Sequence, residues 1–396
     1  MSDWLEICFT LLSEYIPIAC EEQADVTRFI QISAHAESVA QFYFLNTSNE
    51  ETFIKAGALF EKIGEHYDEC GVFRSVLKNY YKSLEIKVKY LGENHPETGM
   101  LCNNIGLYFT KTGNLTEAIK WNSRAINILE ETLGENNQDT AVAYNNLGLA
   151  YVKKGDYDLA IEWYDKCTRI DESVFGHDHI ETAADYNNIG EAYHKKGDYK
   201  TSLEYLTKAR IIKENIEGEN HPNTAITYNN LGSTFWKLKK YDEAIEYTEK
   251  SLNIYIATYG ENHHNTALEY GNIASILADK GEYQRAMNLF FHSLEIAKNV
   301  LGAIHPEIAK SYYNIGTVYF DTGNISKSLP CFILAYKIYM EIFNVQHEDV
   351  QSVTKRLKLA HQKMNFDELF STWLSNELTK SFDILKNLVK KPPDDM

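Results

Sequence analysis

Six histidines, His95, His179, His221, His263, His305 and His347, each stand three residues after a glycine or, in the last case, after Asn344. Imidazoles in series first suggest a metal. Packed helices, however, lie roughly 8–10 Å apart, whereas zinc holds each ligand at about 2 Å. Neighbouring copies therefore cannot share an ion, and capping or packing in a loop is the expected role. The six cysteines, Cys8, Cys20, Cys70, Cys102, Cys167 and Cys331, contain no CxxC pair and no zinc spacing. They read as small buried thiols of a reducing compartment. No metal and no cofactor is expected.

Asparagine forms a second series. Asn104, Asn146, Asn188, Asn230, Asn272 and Asn314 fill one position, and Asn103, Asn145, Asn187 and Asn229 the position before it. Asparagine is a mediocre helix residue, so ten copies in mid-helix need a reason. A primary amide donates and accepts at once, so such a row can satisfy the backbone of an extended peptide. The same amides can instead bond the neighbouring helix and fix the stacking. Lys111, Lys153, Lys195 and Lys237 form a third series, near the asparagine face. There they would favour an acidic segment or a free carboxylate, or complement a helix C-terminus. The series ends at Asp279 and Asp321, which reverse its sign. Trp236 is the expected partner anchor, since tryptophan dominates many interfaces, with packing between repeats as the competing role. The sequence contains no GxxxxGK[ST], GxSxG, HExxH or GxGxxG, and no enzyme is expected.

The elements that must carry these residues repeat every 42 positions. One glycine series runs Gly64, Gly106, Gly148, Gly190, Gly232 and Gly316, with Ala274 in the remaining place. A second runs Gly71, Gly113, Gly155, Gly197, Gly281 and Gly323, with Lys239 as exception. A third runs Gly92, Gly134, Gly176, Gly218, Gly260 and Gly302, with Asn344 as exception. Apolar residues between them keep helical spacing, as Tyr228, Leu231 and Phe235 do, then Ala244, Ile245, Leu252 and Ile256. Each unit is thus two helices, with the second glycine series in the turn between them and the third ending the second helix. Pro222 suits the first turn of the next helix, with Asn223 or Thr224 as its expected cap. Small residues (Ala118, Ala160, Ala244, Ala286) recur opposite large ones (Tyr144, Tyr186, Tyr228, Tyr270, Tyr312), as close helix packing requires.

Tyr, Leu-Gly, an aromatic, a glycine turn and two alanines, in that order, resemble the tetratricopeptide repeat. The wording NN(L/I)G…GxY…LGENHP is similar to the 42-residue class of kinesin light chains. That resemblance implies an all-α fold, a right-handed α-solenoid of helical hairpins, and a non-catalytic scaffold holding a peptide or partner helix in a concave groove. It further implies that the asparagines contact the peptide.

The expected organisation is a helical cap at 1–52, seven repeats over 53–350, and capping helices with a short tail at 351–396. In the last part Phe366, Leu369, Phe370, Trp373 and Leu374 form the expected apolar side. Residues 1–52 also resemble, faintly, the helical segment that joins signalling NTPases to their repeats; the alternative function is the ligand-sensing arm of such a protein. The balance of 39 basic against 56 acidic residues gives a net charge of -17. Such a surface repels nucleic acid and anionic membranes. No segment reads as a signal peptide or membrane span, and the cytoplasm is the expected compartment.

Overall fold

The computed structural model describes residues 23–46, 49–69, 73–366 and 368–380. The expectations for Cys8, Cys20, Cys70 and Gly71, for the start of the N-terminal cap and for the C-terminal tail lie outside them. Among the described residues there are seventeen α-helices and no strand. The chain forms two compact units, residues 1–198 and 199–396.

The first unit contains α1 (Gln23–Asn46), α2 (Glu50–Glu69), α3 (Phe73–Tyr90), α4 (Pro96–Lys111), α5 (Leu115–Leu133), α6 (Gln138–Lys154), α7 (Tyr157–Phe175) and α8 (Ile180–Lys196). The second contains α9 (Tyr199–Ile216), α10 (Pro222–Lys237), α11 (Tyr241–Tyr259), α12 (His264–Lys280), α13 (Tyr283–Leu301), α14 (Pro306–Asp321), α15 (Ile325–Ile342), α16 (Glu348–Lys363) and α17 (Phe370–Leu378). Within each unit contacts join consecutive helices, and also the first helices of successive hairpins, α4 with α6, α6 with α8 and α12 with α14. This is a solenoid of helical hairpins.

The turn inside a hairpin is a backbone device. Gly155 has φ 89°; its N–H donates to the Val152 carbonyl, and the next N–H, of Asp156, reaches back to Tyr151 at 3.0 Å. That pattern closes a helix only with a left-handed residue in the turn. Lys239, the exception in the glycine series, adopts φ 60° and makes the same bonds, Lys240 N–H to Phe235 at 3.0 Å. The position imposes the conformation even on a residue with a Cβ, at a cost of roughly 1 kcal/mol.

Hairpin packing uses the first glycine series. A Cβ added at Gly148 would lie 2.7 Å from the ring of Tyr164, sixteen residues on. The same offset brings Gly64 under Tyr80, Gly106 under Asn122, Gly232 under Thr248 and Gly316 under Phe332. The second helix therefore drops one side chain into a slot that the first leaves empty.

The loop joining hairpins is tied by threonine and histidine. Thr98, Thr140, Thr182, Thr224 and Thr266 each donate Oγ1–H to the carbonyl of the glycine six residues earlier, at 2.8–3.0 Å. Thr224 therefore braces the loop rather than capping the helix. The cap is His221, whose Nδ1 accepts from the Asn223 N–H at 3.2 Å. His95, His179, His263, His305 and His347 do the same, and Asn137 substitutes in the remaining hairpin. The histidine ladder is thus a set of N-caps, each using an unprotonated Nδ1. His221→Ala is expected to lower stability by about 1 kcal/mol, and His221→Asn, the natural choice at 137, to leave it within about half of that. Thermal unfolding of the two variants checks this.

At the N-terminal end Ala36 and Ala40 of α1 join the core of α2 and α3. At the C-terminal end Trp373 is buried against His361, Phe366 and Phe370. Lys337 fastens α17 by donating to the carbonyls of Leu378 and Lys380 at 3.1 and 2.6 Å. Leu369, expected on the same apolar side, is 76% exposed because it precedes the first turn of α17 instead of lying on its inner face.

Candidate functional site: the face of the first helices

The asparagine and lysine series both lie on first helices, and residues one period plus one apart meet across successive hairpins. In the first unit Asn146 Nδ2 donates to Asn103 Oδ1 at 3.0 Å, and Asn188 Nδ2 to Asn145 Oδ1 at 3.0 Å. Asn104 donates to Glu61 at 3.2 Å. The amides are therefore linked to the neighbouring repeat, the stacking role left open by the sequence. Asn103, Asn146 and Asn187 are buried, whereas Asn104, Asn145 and Asn188 keep part of their surface. A carboxamide has two N–H groups and two acceptor lone pairs. These inter-repeat bonds, which at Asn104 reach both Glu61 and Glu65, leave the half-buried Asn104, Asn145 and Asn188 with further hydrogen-bonding capacity.

Two of the four lysines follow the same offset. Lys111 pairs with Asp68 at 2.6 Å. Lys153 donates to the Thr110 carbonyl at 3.3 Å, so it serves the C-terminus of the preceding repeat's helix. Lys195 lies 3.5 Å from Glu191 on its own helix. The Lys237 ammonium sits 5.1 Å from the Trp236 ring centre. Of the three in the first unit, only Lys153 rests on a neutral partner.

In the second unit Asn229 donates to Glu269, and so does Asn272 at 3.3 Å; Asn230 and Asn314 are half-buried on the same face. Trp236 Nε1–H donates to Asp279 Oδ2 at 2.8 Å. Beside this pair lies a cavity of about 300 Å³, lined in part by Trp236, Asp279, Tyr283, Asn314 and Asp321.

Three buried acids, Glu269, Asp185 and Asp171, escaped the sequence reading. Glu269 is buried beneath Asn229, Ser251 and Asn272, each of which donates to it, and burial still pushes it up to about 7. Asp185 occupies the corresponding position one unit earlier than Thr227, with Cys167 where Glu269 has Ser251. The Cys167 thiol lies 3.4 Å from Asp185 Oδ1 and 4.0 Å from Asp171 Oδ2. Burial, and then the charge of Asp171, raises Asp185 well above the usual carboxylate range; burial raises Asp171 and the thiol as well. Among the described residues this is the group whose metal-binding atoms converge, within 4.8 Å of one another. As placed, it is a hydrogen-bonded cluster in which burial disfavours charge on each member. The available signal was positional, an acid where other units have Leu101, Ala143, Thr227 or Ser311.

No helix among the described residues is long and apolar enough to cross a membrane. No curated protein matches the sequence. Among solved structures the chain is similar to the quorum sensor NprR from B. thuringiensis, at 15% identity and a TM-score of 0.54, covering 92% of this chain and 98% of that one. It is also similar to a signal transduction ATPase with a tetratricopeptide repeat sensor from Pyrococcus horikoshii, at 15% identity and a TM-score of 0.52, covering 98% and 55%. A putative kinesin light chain from Podosopora anserina is 19% identical at a TM-score of 0.46, covering 52% and 98%. The tetratricopeptide repeat profile matches residues 100–173, 139–213, 181–257, 227–299 and 267–341. With that profile over more than half of its length, and with hairpins repeating every 42 residues, the chain belongs to the tetratricopeptide repeat family.

Proposed function

We propose that the chain is a non-catalytic binding scaffold that holds a peptide or a partner's helix against the faces of its first helices. The observation that carries this is the ladder of mid-helix amides, linked from repeat to repeat and still part-exposed at Asn104, Asn145 and Asn188. Each remaining N–H or carbonyl can bond a partner backbone without reading its side chains. The scaffold so read has caps at 1–52 and 351–396 and seven repeats over 53–350. In the first unit an acidic residue of the partner would meet Lys153, whose own partner is a neutral carbonyl. A sensing arm of a signalling NTPase is the second reading, favoured by likeness to the sensor-bearing ATPase. A P-loop upstream in the natural reading frame would establish it.

The amide face is tested by Asn145→Ala with Asn188→Ala. Binders captured by the intact chain, measured one at a time by calorimetry, are expected to lose at least about tenfold in affinity, one to two hydrogen bonds' worth. The variant should remain folded, since both side chains are half-buried. Unchanged affinity would leave the amides with stacking alone.

A further inference from the structure

We propose that the cavity of the second unit is a subsite for a cationic side chain, an arginine or lysine of the bound segment; this rests on the scaffold reading above and gives that segment a chemistry. The cavity is bounded by α10, α12, the start of α13, and α14, and its volume of about 300 Å³ accommodates one long side chain. Trp236, Tyr283 and Phe290 supply aromatic surface, and Asp279 and Asp321 supply two carboxylates. An aromatic face attracts a cation through its quadrupole, and a carboxylate does so by charge and hydrogen bonding. Both kinds of group converge here on one space.

The arrangement is held before any ligand arrives. The indole N–H donates to Asp279 Oδ2 at 2.8 Å, so ring and carboxylate orient each other. Asp321 Oδ1 lies 3.6 Å from Arg356, beyond hydrogen-bond distance, and keeps acceptor capacity. Lys237, 5.1 Å from the Trp236 ring centre, is a cation from the chain itself already drawn to the same indole. The two aspartates also fill the position occupied by Lys111, Lys153, Lys195 and Lys237 in earlier repeats. The face reverses sign where it opens into the cavity. An acidic side chain there would meet like charge, and an aliphatic one would desolvate both carboxylates while adding no hydrogen bond or charge to offset it.

The test uses the full chain carrying 5-fluorotryptophan, with the Trp236 fluorine resonance assigned through Trp236→Phe. The probes are four capped tripeptides, Gly-X-Gly with X as arginine, lysine, glutamate or leucine. Arginine and lysine probes are expected to shift the Trp236 resonance saturably, at least about tenfold more tightly than the glutamate or leucine probes, and more weakly as salt rises. Asp279→Asn with Asp321→Asn should remove that preference while keeping the indole bond, since an amide oxygen still accepts from Nε1–H. An unmoved Trp236 resonance, or equal affinity for the leucine probe, overturns the proposal. Asn145→Ala with Asn188→Ala leaves the tripeptide response intact. Loss of partner binding in that variant without an arginine response would sink the subsite alone, and the converse would sink the amide face alone.

Discussion

Gly148→Val is expected to destabilise the first unit by about 3 kcal/mol. The native glycine leaves the space that Tyr164 fills, with ring atoms 2.7 Å from where a Cβ would stand. Tyr164 is only 3% exposed, so its ring has nowhere to withdraw. Valine gains up to about half a kcal/mol over glycine in helix propensity, too little to offset forcing two helices apart in a close-packed interior. Urea unfolding should show a lower midpoint with an unchanged slope. Tyr164→Ala in the same chain should recover much of the loss, because it reopens the slot, and the coupling between the two sites measures the fit. A single variant as stable as the native chain would mean that the hairpin does not rely on this close approach.

The hairpin architecture was legible because its causes lie close in sequence. Glycine turns, small positions and aromatic positions recur at one period, and each needs only its own hairpin to be understood. The turn at Lys239 shows how strongly the period speaks, since the position keeps its left-handed backbone without a glycine. The site was legible only in its membership. That Asn146 meets Asn103, or Lys153 the Thr110 carbonyl, depends on an offset of one period plus one residue between adjacent first helices. That offset comes from how hairpins rotate on packing, which no single repeat encodes. The histidine series fits the capping role expected of it, and at His221 the error lay in Asn223 and Thr224: Ser, Thr, Asn and Asp are the usual N-caps, yet here the imidazole before them does that work. Glu269 was hidden because an acid on a helix ordinarily faces water, and only comparison with Leu101, Ala143 and Thr227 marks its position as interior.

Glu269→Gln is expected to reverse its effect with pH. Burial raises Glu269 from its ordinary 4.5 to about 7, against the lowering effect of the bonds from Asn272, Asn229 and Ser251. A carboxyl whose folded value lies above its unfolded one binds more protons in the native state between those values. Stability from this group is therefore fully present below about pH 4.5 and declines as pH rises towards about 7. Carried across that window, the loss is about 3 kcal/mol. Glutamine removes the titration. Its oxygen can accept from Asn229 and Ser251 as Glu269 Oε1 does, while its NH₂ faces the Asn272 donor 3.3 Å from Oε2 and forfeits that bond, about 1 kcal/mol. At pH 8 the variant should be more stable than the native chain by about 2 kcal/mol, and at pH 4 less stable by about 1 kcal/mol. Denaturant unfolding of both proteins across this range isolates the effect, because every other titrating group contributes equally to the two curves. Parallel curves would show that Glu269 titrates alike in the folded and unfolded chains, its three donors offsetting the loss of water.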